Sequence, residues 1–382
     1  MGAVSADGAG FRLPSPFVLL LPGCSGCRSS VHVRIHLRRP KGMTTRLGAR
    51  LRVAAAYFRR RSIVPGGPIE ITLESTSKCN LYCPMCPRQI YTFHNENMDL
   101  GLYRKIIQEC KTDVEFVWPY GIGEPLLHPS IFEMIRLTRE AGIRTGLSTN
   151  ATLLDDARAA LLLDCGLDYV ILAFDGARKE TYEKYRAGAV FEETREKILR
   201  FLDMKRKRGA GIYVVLQMVI LKDNVADMHA YRRLWDLPGV DEVRFKRDEI
   251  QINGAANSNS ALKGRRANPC YVLWRGPLYV RHDGQVFPCC YMYADAPVGD
   301  LKKQSLREVW NSPGMISLRE AHLHGDLRAY PACANCQGAR PSLPAVYGSL
   351  FLGSLTVRKL VPMMEKLGRR RGFGVFEKRR SE

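Results

Sequence analysis

The sequence predicts an α/β protein: a parallel sheet of six strand-helix units, open or curled into part of a barrel, followed by a smaller cysteine-containing region. Three observations carry this expectation. Short β-rich runs alternate with helical stretches from residue 69 to residue 245. The 382 residues, 46% apolar and 25% charged, suit one catalytic domain with an appendage. Several of the twelve cysteines fall in short, regular spacings in two places, one after the first strand and one beyond the last helix.

Residues 1–62 read as a basic N-terminal extension. Up to Met43 they are rich in Gly, Ser, Pro and Arg without periodicity. The apolar run at 17–21 is too short for a signal core or a membrane span, and Cys24 and Cys27 in this stretch carry no site. From Met43, the residues Leu47, Leu51, Ala54, Ala55 and Phe58 recur at helical spacing among Arg46, Arg50, Arg52 and Arg59. That pattern is a basic amphipathic helix, packed on the body or lying on a membrane surface. Val64-Pro65-Gly66-Gly67-Pro68 breaks it and opens the body at 63–250.

Within the body, strands are expected at 69–73, 114–118, 144–148, 169–174, 213–219 and 242–245. Helices are expected at 102–109, 129–141, 155–163, 191–208 and 224–234. In sheets of this kind the working residues sit at the carboxyl ends of the strands. Residues 251–268 read as a polar connector and 269–340 as the second region. Residues 341–382 read as an apolar docking helix with a basic tail.

The net charge of +20 suggests a nucleic-acid binder until it is mapped. Residues 1–62 carry twelve Arg or Lys against Asp7 alone, and 358–382 carry nine against three acids, leaving only +3 for everything between. Nucleic acid is therefore not an expected partner; the tails read as arms seeking anions. The cysteine spacings favour reduced thiolates kept for metal, hence a cytoplasmic protein.

The first strand runs into a CxxxCxxC loop made by Cys79, Cys83 and Cys86. Three thiolates bind three irons of a cubane and leave the fourth iron open, which is what substrate chemistry requires. This loop resembles the radical SAM signature, and the resemblance extends over about residues 69–250. It implies a partial (β/α)6 TIM-like barrel and a 4Fe-4S cluster. The open iron would chelate the amino and carboxylate groups of S-adenosylmethionine, and one electron would release a 5'-deoxyadenosyl radical that abstracts hydrogen from substrate.

Further residues extend the resemblance. Met85 stands where the family often has an aromatic against adenine; its polarizable sulfur also covers a ring face. Gly121-Ile122-Gly123-Glu124-Pro125, after the second strand, resembles the family's Gly-Gly-Glu motif with Ile122 replacing its first glycine. Backbone around Gly123 and Glu124 is thereby expected to bind the methionine amino group. Ser148 and Asn150, ending the third strand, are expected at the ribose or the carboxylate; the other reading of Asn150 is a helix N-cap. Asp175, ending the fourth strand, is expected as a further polar contact, or else as part of an Asp-Gly turn. Residues 180–186 read as a solvated helix face, or else as a segment that reaches the substrate mouth. Cys110 and Cys165 read as buried inert thiols, and His128 as a turn residue.

The second group is Cys270, Cys289, Cys290, Cys333 and Cys336. Two β-rich runs meet at Asp283-Gly284, a hairpin signal, which carries Cys289 or Cys290 toward the Cys333/Cys336 pair while Cys270 completes four ligands. Four thiolates suit structural zinc equally well. The arrangement resembles the SPASM domain, or the shorter twitch domain, of radical SAM enzymes. That resemblance implies a small C-terminal cysteine-ligated iron-sulfur domain with a second, auxiliary 4Fe-4S cluster.

The expected activity is hydrogen abstraction from an unidentified small molecule or peptide, giving oxidation, epimerisation or peptide modification. A flavodoxin or ferredoxin reductant is implied, and acidic proteins of that kind would be steered by basic tails. Two alternatives are a membrane-associated enzyme acting on a lipid and a non-catalytic carrier barrel.

Overall fold

The computed structural model describes residues 43–91, 94–247, 268–293, 295–336, 341 and 343–352. The expectations for residues 1–42, for nearly all of the 251–268 connector and for the basic tail beyond 352 lie outside the described residues.

Helix α1 (Met43–Phe58) buries Ala49, Val53, Ala54, Ala56 and Tyr57. Its arginines turn to the body. Arg50 pairs with Glu115, Arg52 Nη2 lies 2.7 Å from Asp113 Oδ1, and Arg46 donates to the Gly142 carbonyl at 2.5 Å. Those partners immediately precede the second and third strands, so α1 covers the amino-terminal end of the sheet. The helix packs against the body on one side and leaves Leu47, Leu51 and Phe58 exposed on the other.

Six strand-helix units follow. β1 (Glu70–Leu73), β2 (Phe116–Trp118), β3 (Arg144–Thr149), β4 (Tyr169–Ala173), β5 (Tyr213–Ile220) and β6 (Glu242–Arg247) alternate with α2 (Leu100–Cys110), α3 (Ile131–Glu140), α4 (Asp156–Asp164), α5 (Lys179–Tyr185), α6 (Phe191–Arg208) and α7 (Met228–Leu234). The central strands β4 and β5 are near-continuous apolar runs, as expected where both faces of a parallel sheet are covered. β4, for example, is buried at every position. Helix starts are set chemically: Asp99 and Asp155 accept from Leu102 N and Arg158 N as N-caps of α2 and α4. In α6, Glu192 and Glu193 in the first turn and Lys205 to Arg208 in the last oppose the helix dipole, and Gly209 closes it at φ 59°.

The second region contributes α8 (Val272–Arg275), β7 (Leu278–Val280), β8 (Gln285–Phe287), β9 (Gly299–Asp300), α9 (Leu306–Trp310), α10 (Pro313–His324), α11 (Pro331–Asn335) and, last, α12 (Leu343–Phe351). The sheet order is β6-β5-β4-β3-β2-β1-β7-β8-β9. The first six strands are parallel neighbours in chain order, and β7 joins β1 in parallel with Ile71 opposite Leu278. β7, β8 and β9 are antiparallel. The cysteine-containing region thus extends the catalytic sheet rather than forming a separate layer. An unpaired β1 edge would expose a row of backbone donors and acceptors. Buried Glu70 secures the junction by receiving Trp118 Nε1 at 2.6 Å and Arg275 Nη1 at 2.7 Å.

Candidate active site

The carboxyl ends of the strands open on a cavity of about 220 Å³. Its lining includes Cys79, Cys83, Met85, Cys86, Gly121 to Glu124, Ser148, Asn150, Arg186 and Gln217. A larger, shallower hollow of about 620 Å³ lies by Glu320, His324 and Tyr330. It contains no cysteine, and the chemistry favours the smaller cavity.

The cysteine loop is held by backbone. Cys86 N donates to Cys83 O at 3.0 Å, Tyr82 N to Ala187 O at 2.9 Å, and Glu124 N to Lys78 O at 2.7 Å. Residues 75–77 also zip to 96–98, with Ser77 N on Glu96 O and Met98 N on Ser75 O. Gly123 is required by this closeness. A Cβ there would stand 2.3 Å from Thr76 O and 2.5 Å from Lys78 O, inside backbone that cannot yield.

Burial raises the Cys79, Cys83 and Cys86 thiols above their ordinary values. A metal centre is what deprotonates such a thiol outright, so the donor set fits an iron-sulfur cluster. Among the described residues no three His, Cys, Asp or Glu side chains stand close enough to chelate one ion; a cubane, which seats each thiolate on a different iron, asks less of their spacing.

Glu124 is buried and fully engaged. It accepts from Thr149 Oγ1 at 2.6 Å, Asn150 N at 2.8 Å and Leu126 N at 3.1 Å. Burial pushes its carboxyl up despite these donors. Its side chain therefore ties the end of β3 to the Gly121–Glu124 turn, leaving backbone to face the cavity. Ser148 lines the cavity at half-burial. Asn150 also lines it, but its side chain donates to Asn80 Oδ1 at 3.1 Å and accepts from Thr152 N at 3.0 Å. It caps no helix, since Asp155 caps α4. Next to it, Ala151 is held at φ 62°, a conformation L-residues seldom adopt.

Asp175 stands back from the cavity. Its carboxylate is fully buried, accepts from Val219 N at 2.6 Å and lies 2.6 Å from Arg186 Nη2. It reaches the cavity only through Arg186, which does line it. Burial opposes the Arg186 charge, but Asp175 and the Cys83 thiol outweigh that and hold the guanidinium charged. Sequence reasoning passed over this arginine: it allowed that 180–186 could reach the substrate mouth but preferred a solvated helix face. The signal was present in Thr181, Tyr182 and Tyr185, which share the buried side of α5. Gln217 was missed too; it is the lone polar residue in the apolar run of β5.

The second cysteine group assembles as well. The hairpin forms at Asp283-Gly284, pairing Tyr279 with Phe287. Cys270, Cys289, Cys333 and Cys336 lie near enough that each of the first three is raised electrostatically by others of the group. Burial, reinforced by these neighbours, pushes Cys270 up to about 11 and Cys333 up to about 12. Cys290 is exposed and Cys289 partly buried. Cys110 and Cys165 are buried, with Cys165 pushed up to about 11. His128 sits in a turn, its Nδ1 accepting from Ser130 N and its Nε2 facing Met98 O, each at 3.0 Å.

Residues 73–234 match the family described as the radical SAM superfamily, and residues 270–337 match SPASM, described as an iron-sulfur cluster-binding domain. The chain is a radical SAM enzyme with a SPASM domain. Its radical SAM part implies a 4Fe-4S cluster and S-adenosylmethionine, and its SPASM part implies additional iron-sulfur binding.

Among curated proteins, this radical SAM enzyme is 25% identical over 312 residues to the tungsten-containing aldehyde ferredoxin oxidoreductase cofactor-modifying protein of Pyrococcus furiosus. That match covers 69% of this chain and 86% of the relative. It is 22% identical over 291 residues to the PqqA peptide cyclase of Gluconobacter oxydans, covering 67% and 80%. Among solved structures, it shares the fold of Streptococcus suis SuiB bound to precursor peptide SuiA, with a TM-score of 0.53 and 14% identity, covering 75% of this chain and 72% of that one. It also shares the fold of anSMEcpe with bound AdoMet and Kp18Cys peptide, with a TM-score of 0.52 and 16% identity, covering 79% and 99%.

Proposed function

We propose that this enzyme abstracts hydrogen from a peptide substrate. In this reading Cys79, Cys83 and Cys86 hold the cluster that reductively cleaves S-adenosylmethionine to a 5'-deoxyadenosyl radical. Cys270, Cys289, Cys333 and Cys336 hold one auxiliary cluster, and residues 63–250 and 269–340 are the two working domains. The observation that carries the chemistry is the convergence of the CxxxCxxC loop, the Gly121–Glu124 turn, Ser148 and Arg186 on one cavity.

Each group has a distinct task. Backbone at Gly123 and Glu124 faces the amino end of the ligand, and Ser148 offers a hydroxyl to its ribose. Arg186, held by Asp175, presents fixed positive charge to its carboxylate. Met85 covers the adenine. Peptide is the favoured substrate class because relatives of this chain are named for, or bound to, peptides: PqqA, SuiA and Kp18Cys. The reductant is a flavodoxin or ferredoxin.

Anaerobically reconstituted protein is expected to make 5'-deoxyadenosine and methionine with dithionite, and Cys83→Ala to make neither. Iron should fall from about eight to about four per chain in a Cys270→Ala/Cys333→Ala variant. Unchanged iron there removes the auxiliary cluster, and no 5'-deoxyadenosine in the parent removes the whole reading.

Contact with a membrane surface is favoured by one specific observation. Leu47, Leu51 and Phe58 of α1 and Leu343, Tyr347 and Phe351 of α12 are all exposed, and the Phe58 ring lies 5.2 Å from that of Tyr347. This apolar strip belongs to the helix over the amino ends of the strands, away from the cavity, so it fits anchoring rather than a lipid substrate. No described helix is long and apolar enough to cross a membrane. Pelleting with anionic vesicles that Leu51→Glu abolishes is the expected result; no pelleting in the parent ends this reading.

A further inference from the structure

Glu74 stands one residue beyond β1, at the start of the loop that leads to Cys79, and is 1% exposed. No task in the proposed chemistry accounts for it. Its carboxylate is shared between two parts of the molecule. From the SPASM hairpin, the Tyr279 hydroxyl donates to Oε2 and His282 Nδ1 lies 2.7 Å from Oε1. From the cavity wall, Ile122 N points to Oε2 at 3.4 Å.

Three other observations converge on the same place. Gly121 leaves no room for a side chain, because a Cβ there would lie 2.6 Å from the Tyr279 hydroxyl and 2.7 Å from Glu74 Cβ. The Ile122 side chain packs against the aromatic cluster of Tyr279, Phe287 and Tyr293. This explains the departure from the family's Gly-Gly-Glu motif: a glycine at 122 would leave that cluster without its aliphatic cover. Finally, His282 Nε2 lies 3.5 Å from Glu96 Oε2, and Glu96 O accepts from Ser77 N in the cysteine loop. One imidazole thus spans two segments of the loop that carries Cys79.

We infer that Glu74 is a positioning residue that couples the SPASM hairpin to the Gly121–Glu124 wall, so that the auxiliary domain and the S-adenosylmethionine site are thermodynamically linked. A buried carboxylate whose partners come from separate elements holds those elements in one relative position, since displacing either strands polar groups away from water. Cys289, an auxiliary ligand in the proposed reading, lies two residues beyond the end of the hairpin's second strand. Loss of the auxiliary cysteines therefore loosens Tyr279 and His282, and through Glu74 loosens Ile122 and the backbone expected to face the ligand. Such linkage is reciprocal.

The inference rests on the reading of the cavity as the S-adenosylmethionine site, and the test separates the two. Equilibrium binding of S-adenosylmethionine to full-length, anaerobically reconstituted protein would be measured in the parent, Glu74→Gln, Cys333→Ala/Cys336→Ala, and the combination. Iron would be quantified in each. Glu74→Gln is expected to keep the parent's iron and bind about tenfold more weakly. The cysteine pair should weaken binding by a similar factor, and the combination should be no weaker than either alone.

Parent-like affinity in Glu74→Gln, or losses that multiply in the combination, overturns the linkage while leaving the site intact. No binding in the parent overturns the site itself. Should Glu74→Gln fail to fold, Tyr279→Phe and His282→Leu each remove one donor and carry the same expectation. A perturbation of the cluster spectrum by ligand that is present in the parent and altered in these variants distinguishes positioning from general destabilisation.

Discussion

At the scale of single residues, the site depends on contacts that leave no slack. Gly123→Ala places a methyl carbon inside the Thr76 and Lys78 carbonyls. The cysteine loop must then move by about an ångström, a displacement that costs on the order of 100-fold in a positioned reaction. 5'-Deoxyadenosine formation should fall accordingly while circular dichroism stays that of the parent.

His128 makes a different kind of prediction. Burial lowers its pKa below 6.5, and its two hydrogen bonds suit the neutral ring with its proton on Nε2. Below about pH 6.5 the unfolded chain takes up a proton that the folded chain resists, so this contribution to stability is lost as pH falls. Urea midpoints should therefore drop less steeply between about pH 6.5 and 4 in His128→Gln than in the parent.

Residue identity was legible where chemistry is set by sequence spacing, as in the CxxxCxxC loop. It was not legible where a partner arrives from elsewhere: nothing around Asp175 announces that Arg186 will neutralise it, and nothing around Glu74 announces a histidine 208 residues away.

At the scale of elements, the alternation of apolar runs and amphipathic stretches placed all six strands of the first region. It also placed the hairpin at Asp283-Gly284, because an Asp-Gly pair between two β-rich runs has few other uses. The helix from Met43 was legible in its period but not in its charge, because the carboxylates that absorb Arg50 and Arg52 lie in a different part of the chain.

Helix α10 shows the same limit. Arg319 is fully buried there, gives hydrogen bonds to the Leu273, Ser62 and Trp310 carbonyls at 2.8–2.9 Å, and lies over the Trp310 ring at 4.5 Å. It joins α8, α9, α10 and the segment after α1 at a single guanidinium. Arg319→Met keeps much of the volume but leaves those carbonyls without a donor, and should cost about 3 kcal/mol or more in urea unfolding. Arg319→Lys should recover only part of this, since an ammonium lacks the planar fork.

At the scale of the whole molecule, the two cysteine groups are built on one sheet. Chelation that strips iron is expected to loosen both regions together rather than only the one losing its cluster. Hydrogen exchange before and after iron removal tests this, with deprotection of β1, β7 and the Gly121–Glu124 turn as the expected result. The continuity of the sheet was not legible in advance. The hairpin's sequence specifies its own turn but says nothing about which edge it will join.

The place of β1 has one more consequence, for the order in which the protein is made. β1 is the first strand among the described residues, yet it lies inside the finished sheet, flanked by β2 and by β7. Its junction with β7 is sealed by Arg275 and Glu70, 205 residues apart in the chain. Until that late segment leaves the ribosome, the strand leading to Cys79 has an open side, and pairing over so long a separation is slow. Cys79, Cys83 and Cys86 are thus made well before their loop is enclosed, which leaves the nascent chain a long interval in which that loop is accessible from this side.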